Sequence, residues 1–176
     1  MFTEQEIRIA NKTSRTNGAS ARNKDGSIRA IVPKYVADHI HKEDSILDFG
    51  AGKDAVHTKW LREEGFNVTA YDFGDNCIEE IHDKDALRKQ YKVIMCSNVI
   101  NVQSSMEMLM DTLQQLNDSL EPGGMLVVNY PASPRKMDMT ATELSMIMWN
   151  VFHAYSERVG GSASAPLWVM WKPSIQ

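Results

Sequence analysis

Two glycines and two aspartates carry the pattern most able to do chemistry. They sit in the run ILDFGAGKDAVHTKWLREEGFNVTAYDFGDN, residues 46–76. Gly50 and Gly52 follow a short apolar run and precede a helical one. Glycine there permits a tight turn and lets a ligand approach the backbone closely. Asp72 closes a second apolar run, 20 residues beyond Gly52. A carboxylate so placed accepts both hydroxyls of a ribose. Turn and distal acid together describe a nucleoside-bearing cofactor.

The choice of cofactor turns on Asp48. Gly50-x-Gly52-x-x-Ala55 fits the loosened dinucleotide fingerprint. Asp48, however, lies just before the first glycine. It would repel the pyrophosphate that a helix N-terminus attracts. The same carboxylate would welcome a cationic cofactor. S-adenosylmethionine carries an ammonium and a sulfonium beside its adenosine, so electrostatics favours it over NAD.

Strands and helices alternate around this segment. The spacing of Val32, Tyr35, Val36 and Ile40 predicts a helix over about 33–41, with Pro33 in its first turn. Strand Ser45–Phe49 leads into the glycines. A helix over 54–64 follows, with Val56, Trp60 and Leu61 inward, His57 solvated and Gly65 as its stop. Phe66–Tyr71 is a second strand, and residues 76–90 are too charged for a clear reading. Tyr91–Cys96 reads as a buried strand, apolar on both faces as parallel strands are. Ser104 or Ser105 caps a helix to about Leu120, with Met106, Leu109, Met110, Leu113 and Leu116–Leu120 as its apolar side. Pro122-Gly123-Gly124 breaks it before strand Met125–Tyr130. A loop over 131–139 follows; the methionines read as adaptable core, with Met137 and Met139 as the two that could flank a substrate cleft. One long helix over 141–158 ends at Gly160-Gly161, and Leu167–Lys172 is the last strand. This order predicts an α/β chain: three layers around a doubly wound, mostly parallel, Rossmann-like sheet. Its ligand belongs at the carboxyl ends of the strands, where strand order reverses.

At DFGAG (48–52) and YDFGD (71–75) the sequence resembles the class I S-adenosylmethionine-dependent methyltransferases. YKVIMCSNVINV (91–102) is similar to the family's fourth strand, and EPGGMLVVNYP (121–131) to the turn into its fifth. The resemblance implies a small single-domain methyltransferase with S-adenosylmethionine as cofactor. Asp48, Phe49, Gly50, Ala51 and Gly52 would cradle the methionine part, Asp72 the ribose and Phe73 one face of the adenine. Asp85, or its rival Asp83, would meet the adenine amino group. Ser97 and Asn98 would end the fourth strand beside the methyl group. Ser97, Asn98 and Tyr130 are the candidates for orienting the acceptor. The chain departs from the family in an indistinct third strand and a single clear strand after the long helix. It therefore reads as a near-minimal version without an inserted target-recognition domain. Neither the proline of cytosine-5 enzymes nor the Asn/Asp-Pro-Pro-aromatic motif of amino-methylating DNA enzymes ends the fourth strand. Asn129-Tyr130-Pro131 follows the fifth strand instead, and reads as coincidence.

Composition bounds the rest. A chain of 176 residues, 43% hydrophobic and 24% charged, suits one globular domain. No apolar run reaches membrane-spanning length, and the first ten residues carry no signal core. Cys77 and Cys96 are the only cysteines, without metal-ligand spacing, so a cytoplasmic location and no metal are expected. Seven basic residues against one acid give +6 between Arg8 and Lys34, leaving −10 elsewhere in a chain of net −4. Residues 1–30 then read as a basic arm or lid, and 31–176 as the cofactor-binding domain. Should Arg15, Arg22 and Arg29 overhang the cleft, they would attract a phosphate-bearing acceptor. The acidic body and the lack of aromatics in the arm favour a small anionic molecule over nucleic acid. A nucleic-acid methyltransferase, or a cofactor-binding regulatory module without methyl transfer, is the rival reading.

Overall fold

The computed structural model describes residues 3–6, 8 and 22–174. Ten elements follow in chain order: α1 (Ile31–His39), β1 (Ser45–Phe49), α2 (Val56–Glu63), β2 (Asn67–Tyr71), β3 (Tyr91–Cys96), α3 (Met106–Ser119), β4 (Leu120–Asn129), α4 (Ala141–Phe152), β5 (Glu157–Gly161) and β6 (Pro166–Trp171). The six strands form one sheet in the order β2-β1-β3-β4-β6-β5. β1 pairs in parallel with both β2 and β3, and β3 with β4. β6 runs antiparallel between β4 and β5. The sheet is thus mostly parallel, as expected, and strand order reverses at β1.

Alternation along each strand sends side chains to opposite faces. Leu47, Ile94, Cys96, Leu126 and Val128 pack under Leu109 and Leu113 of α3 and Leu144, Met148 and Phe152 of α4. Ile46, Val68, Val93, Met95 and Val127 pack under Val32 and Val36 of α1 and Leu61 of α2. Helices therefore cover both faces, giving three layers.

Four features differ from the sequence expectation. The helix after the 131–139 loop stops at Phe152, because His153 takes a left-handed conformation, φ 55°. The released residues form β5, so a hairpin of two strands ends the chain. The Pro-Gly-Gly segment lies inside β4 as a register shift opposite Tyr91 and Val93. α2 turns His57, Thr58 and Leu61 inward, and His57 is buried rather than solvated. Rotation of this helix brings Thr58 onto Asp48. In α3, Met106 and Met110 are exposed, the inward face being centred on Leu109, Leu113 and Leu116.

No strand occupies residues 76–90; single 3-10 turns at Gly74–Asn76 and Ala86–Arg88 replace it. One backbone bond, Asp83 N–H to the Ala70 carbonyl at 2.9 Å, still ties this segment to β2. Arg15 of the basic arm lies outside the described residues. Arg22 pairs with Glu63 at 3.0 Å, at the end of α2 remote from the carboxyl edge. Ile28 is fully buried, which binds residues 22–30 to the body.

Candidate active site

The reversal at β1 opens a crevice above the carboxyl ends of β1, β2 and β3. The glycine turn fills its floor. Gly50 and Gly52 both have positive φ, 73° and 80°, so the two glycines sit where side chains are strained. Gly50 and Ala51 N–H groups both donate to the Tyr71 carbonyl, at 2.9 Å each. Ala55 is itself left-handed, with φ 44°, and forms the N-cap of α2 without a side-chain cap.

Asp72 faces this turn from the end of β2. One carboxylate oxygen accepts the Gly52 N–H and the other the Phe73 N–H, both at 2.8 Å. A carboxylate has about four acceptor positions. Two therefore remain for a diol. Burial raises the Asp72 pKa, against the lowering pull of those two N–H groups and of His82. Asp48, on β1, is wholly enclosed and accepts the Thr58 hydroxyl at 2.7 Å. Burial is the main cause that pushes its pKa up to about 7, and nearby Asp72 adds to it. A buried carboxylate of this kind calls for a cation beside it.

The adenine-side candidates separate. Asp83 accepts Lys89 Nζ at 2.9 Å and the Asp85 N–H at 2.9 Å. Asp85 is half exposed and makes only a looser contact, 3.6 Å, with Arg88. Both border a cavity of about 340 Å³ with Cys77, Glu79, His82 and Lys84. Phe49 is core: its ring packs 5.5 Å from that of Tyr71. Cys96 is likewise core, and burial raises its thiol pKa.

At the end of β3, the Ser97 hydroxyl is buried and has no hydrogen-bond partner among the described residues. Asn98 has φ 56° and is clamped to β4. Its N–H donates to Asn129 Oδ1 at 2.8 Å, and Asn129 Nδ2 donates to Asn98 Oδ1 at 2.9 Å. The backbone N–H can only donate, so both amide orientations follow, and Asn98 Nδ2 keeps both its hydrogens. Asn129 thereby ties the end of β4 to Asn98, a contact unrelated to the motif that Asn129-Tyr130-Pro131 superficially matches.

The structure places Tyr130 apart from Ser97 and Asn98 in its bonding. Its hydroxyl donates to the Met139 carbonyl at 2.7 Å, and its ring is buried beneath the Arg135 guanidinium at 3.8 Å. Met139 is core as well, not a cleft wall. Sequence reasoning also missed Thr58 and His82. Their partners are 10 and 30 residues away, so no local spacing marks them.

The donor set fits S-adenosylmethionine. Two buried carboxylates and an unpartnered hydroxyl beside a glycine turn that, among the described residues, has no Lys or Arg in hydrogen-bond contact suit a cationic nucleoside, not a pyrophosphate. A family model described as "Methyltransferase domain" matches residues 17–158. No curated protein matches the sequence. Among solved structures, a TehB-like SAM-dependent methyltransferase from Corynebacterium glutamicum superposes with TM-score 0.67 at 14% identity, covering 94% of this chain and 98% of that one. The N-methyltransferase NodS from Bradyrhizobium japonicum, solved with S-adenosyl-L-homocysteine, gives 0.63 at 15%, covering 96% and 100%. Burkholderia thailandensis 1,6-didemethyltoxoflavin-N1-methyltransferase, with 1,6-didemethyltoxoflavin and S-adenosylhomocysteine bound, gives 0.58 at 14%, covering 97% and 85%. With a methyltransferase model spanning most of its length, the chain belongs to the methyltransferase-domain family, in its class I, S-adenosylmethionine-dependent branch.

Proposed function

We propose that this chain methylates a small molecule, holding the cofactor through Asp48, the Gly50–Gly52 turn and Asp72. The observation that carries the reading is the pair of buried carboxylates at the switch point, Asp72 bonded to the Gly52 N–H and Asp48 enclosed two residues before Gly50. When bound, S-adenosylmethionine supplies an electrophilic methyl on a sulfonium. Asp72 would take the ribose hydroxyls, Phe73 and Asp85 the adenine, and Asp48 with the turn the methionine part. Ser97 and Asn98 would stand beside the methyl. Displacement at that carbon needs chiefly an oriented acceptor, so the protein's task is positioning. Replacing Asp72 with alanine should weaken S-adenosylhomocysteine by about 1–3 kcal/mol, through a lost charged partner. Calorimetric titration checks this.

A small acceptor is supported by the short connections at the carboxyl edge. Residues 97–105 and 130–140 are stitched together by Asn101 Nδ2 to the Pro134 carbonyl, 2.9 Å, and Lys136 N–H to the Asn101 carbonyl, 3.0 Å. No inserted domain interrupts them among the described residues. Similarity to an enzyme solved with 1,6-didemethyltoxoflavin points the same way. Three of the described arginines give an anionic acceptor little support. Arg22 is paired with Glu63, Arg29 contacts Asn23, and Arg135 holds the carbonyls of Tyr130, Pro131 and Met139 together with that of Ser164 between β5 and β6. The unshared N–H groups of Asn98 favour instead an acceptor that presents a lone pair near its nucleophile.

The test is transfer of labelled methyl into fractionated cell extract. Label in the small-molecule fraction supports the proposal. Label confined to nucleic acid or protein overturns it. With the active fraction in hand, Asn129→Ala should lower turnover about 5- to 30-fold, since it loses both hydrogen bonds to Asn98, each worth about 0.5–1 kcal/mol. S-adenosylhomocysteine affinity should not change, which separates the clamp from the cofactor cradle.

A further inference from the structure

His82 belongs to neither the strands nor the motifs, yet it is buried and both ring nitrogens are bonded. Ile78 N–H donates to Nδ1 at 3.0 Å. A backbone N–H can only donate, so Nδ1 is the acceptor nitrogen and the proton resides on Nε2. Nε2 lies 2.7 Å from the Gly52 carbonyl and donates to it. The Gly52 N–H is already held by Asp72. Gly52 is therefore gripped on both sides, at φ 80°, in a turn whose glycines have the most backbone freedom to lose.

The grip also joins two parts of the crevice. His82 closes its own turn, its N–H bonding to the Ile78 carbonyl at 2.7 Å. It lines the cavity shared with Asp83 and Asp85. Through the ring, that wall is linked to the floor formed by the glycine turn. We infer that His82 is a positioning residue that holds the glycine turn in its cofactor-receiving shape through the Gly52 carbonyl. The inference rests on the cofactor reading above. Order present before binding need not be created during it, so the latch acts on affinity.

Two amide substitutions separate the two bonds of the ring. In His82→Gln the amide nitrogen can replace Nε2 and keep the Gly52 contact. In His82→Asn the amide oxygen can replace Nδ1 and keep only the Ile78 contact. His82→Ala removes both. The latch predicts S-adenosylhomocysteine affinity within about twofold of wild type for the Gln variant. Asn and Ala variants should bind about five- to tenfold more weakly, the scale of one hydrogen bond. Amide hydrogen exchange of the free protein gives an independent readout. Residues 50–52 should exchange faster in the Asn and Ala variants but not in the Gln variant. Long-range nitrogen–proton spectra of the wild type should show the Nε2–H tautomer. Rescue by Asn rather than Gln, or unchanged exchange in all three variants, would overturn the latch. If wild type bound no S-adenosylhomocysteine, the cofactor reading would fall, while the exchange data would still decide whether His82 holds the turn.

Discussion

Lowering the pH from about 7.5 to about 5 is expected to stabilise the free protein and to weaken its hold on S-adenosylmethionine. Both effects come from Asp48. Its folded pKa is about 7 against 3.8 for the ordinary carboxyl, burial being the main cause. Between those values the folded chain keeps a proton that the unfolded chain has released. Stability therefore falls as pH rises through that window, and levels off once both states are ionised. At about 1.4 kcal/mol for each pKa unit, and with Asp48 half protonated at pH 7 in the folded chain, the change from pH 7 to pH 5 is about 2 kcal/mol. Surface carboxylates such as Glu63 and Asp83, whose pKa values are lowered by Arg22 and Lys89, titrate below this range. Asp72, raised by burial, adds in the same direction.

Cofactor binding should run the other way. An ammonium or sulfonium beside Asp48 favours the ionised carboxylate, so binding below about pH 7 must release a proton. Affinity should then tighten by up to about tenfold per pH unit until Asp48 is ionised in the free protein. Asp48→Asn should flatten both profiles. Urea melts at several pH values, beside calorimetric titrations at the same values, make the comparison. Parallel profiles in wild type and variant would remove Asp48 from the site.

The fold was largely legible because its buried strands are contiguous apolar runs. SILDF and YKVIMC can hide only in a sheet covered on both faces. The parts that escaped lack such a signal. β5, ERVGG, is an edge strand exposed at four of its five residues, so it reads as a fraying helix end. The residue that stops α4 is His153, where a glycine would have announced the stop. Between Cys77 and Arg88 only Ile78, Ile81, Ala86 and Leu87 are apolar, too few to bury a strand.

Site residues divide on the same principle. Asp48, Gly50, Gly52 and Asp72 are legible because the turn fixes their spacing along the chain. Thr58, His82 and Asn129 act by contacts across elements. Asn129 meets Asn98 from 31 residues away. Tyr130 drew notice as a polar side chain at a strand's carboxyl end. Its hydroxyl instead anchors the 131–139 loop.

Gly50→Ala should be the most damaging small substitution in the crevice, for two separable reasons. At φ 73° an L side chain meets its own backbone, at a cost of about 1–2 kcal/mol. Its Cβ would also lie 2.5 Å from Val99 Cγ2, far inside contact distance. Val99 is β-branched and stiff at χ1, so it yields only by moving the backbone after β3. That backbone leads directly from Ser97 and Asn98. Strain of about 2–4 kcal/mol in total is expected, seen as a lower urea midpoint. Loss of S-adenosylhomocysteine binding by at least about tenfold should accompany it, because the turn would no longer present its floor. Val99→Ala in the same chain should restore part of the stability by removing the collision while leaving the φ strain. The double-mutant cycle then measures the collision alone. A Gly50→Ala protein that binds as wild type does, with no coupling to Val99, would show that this turn is not the cradle.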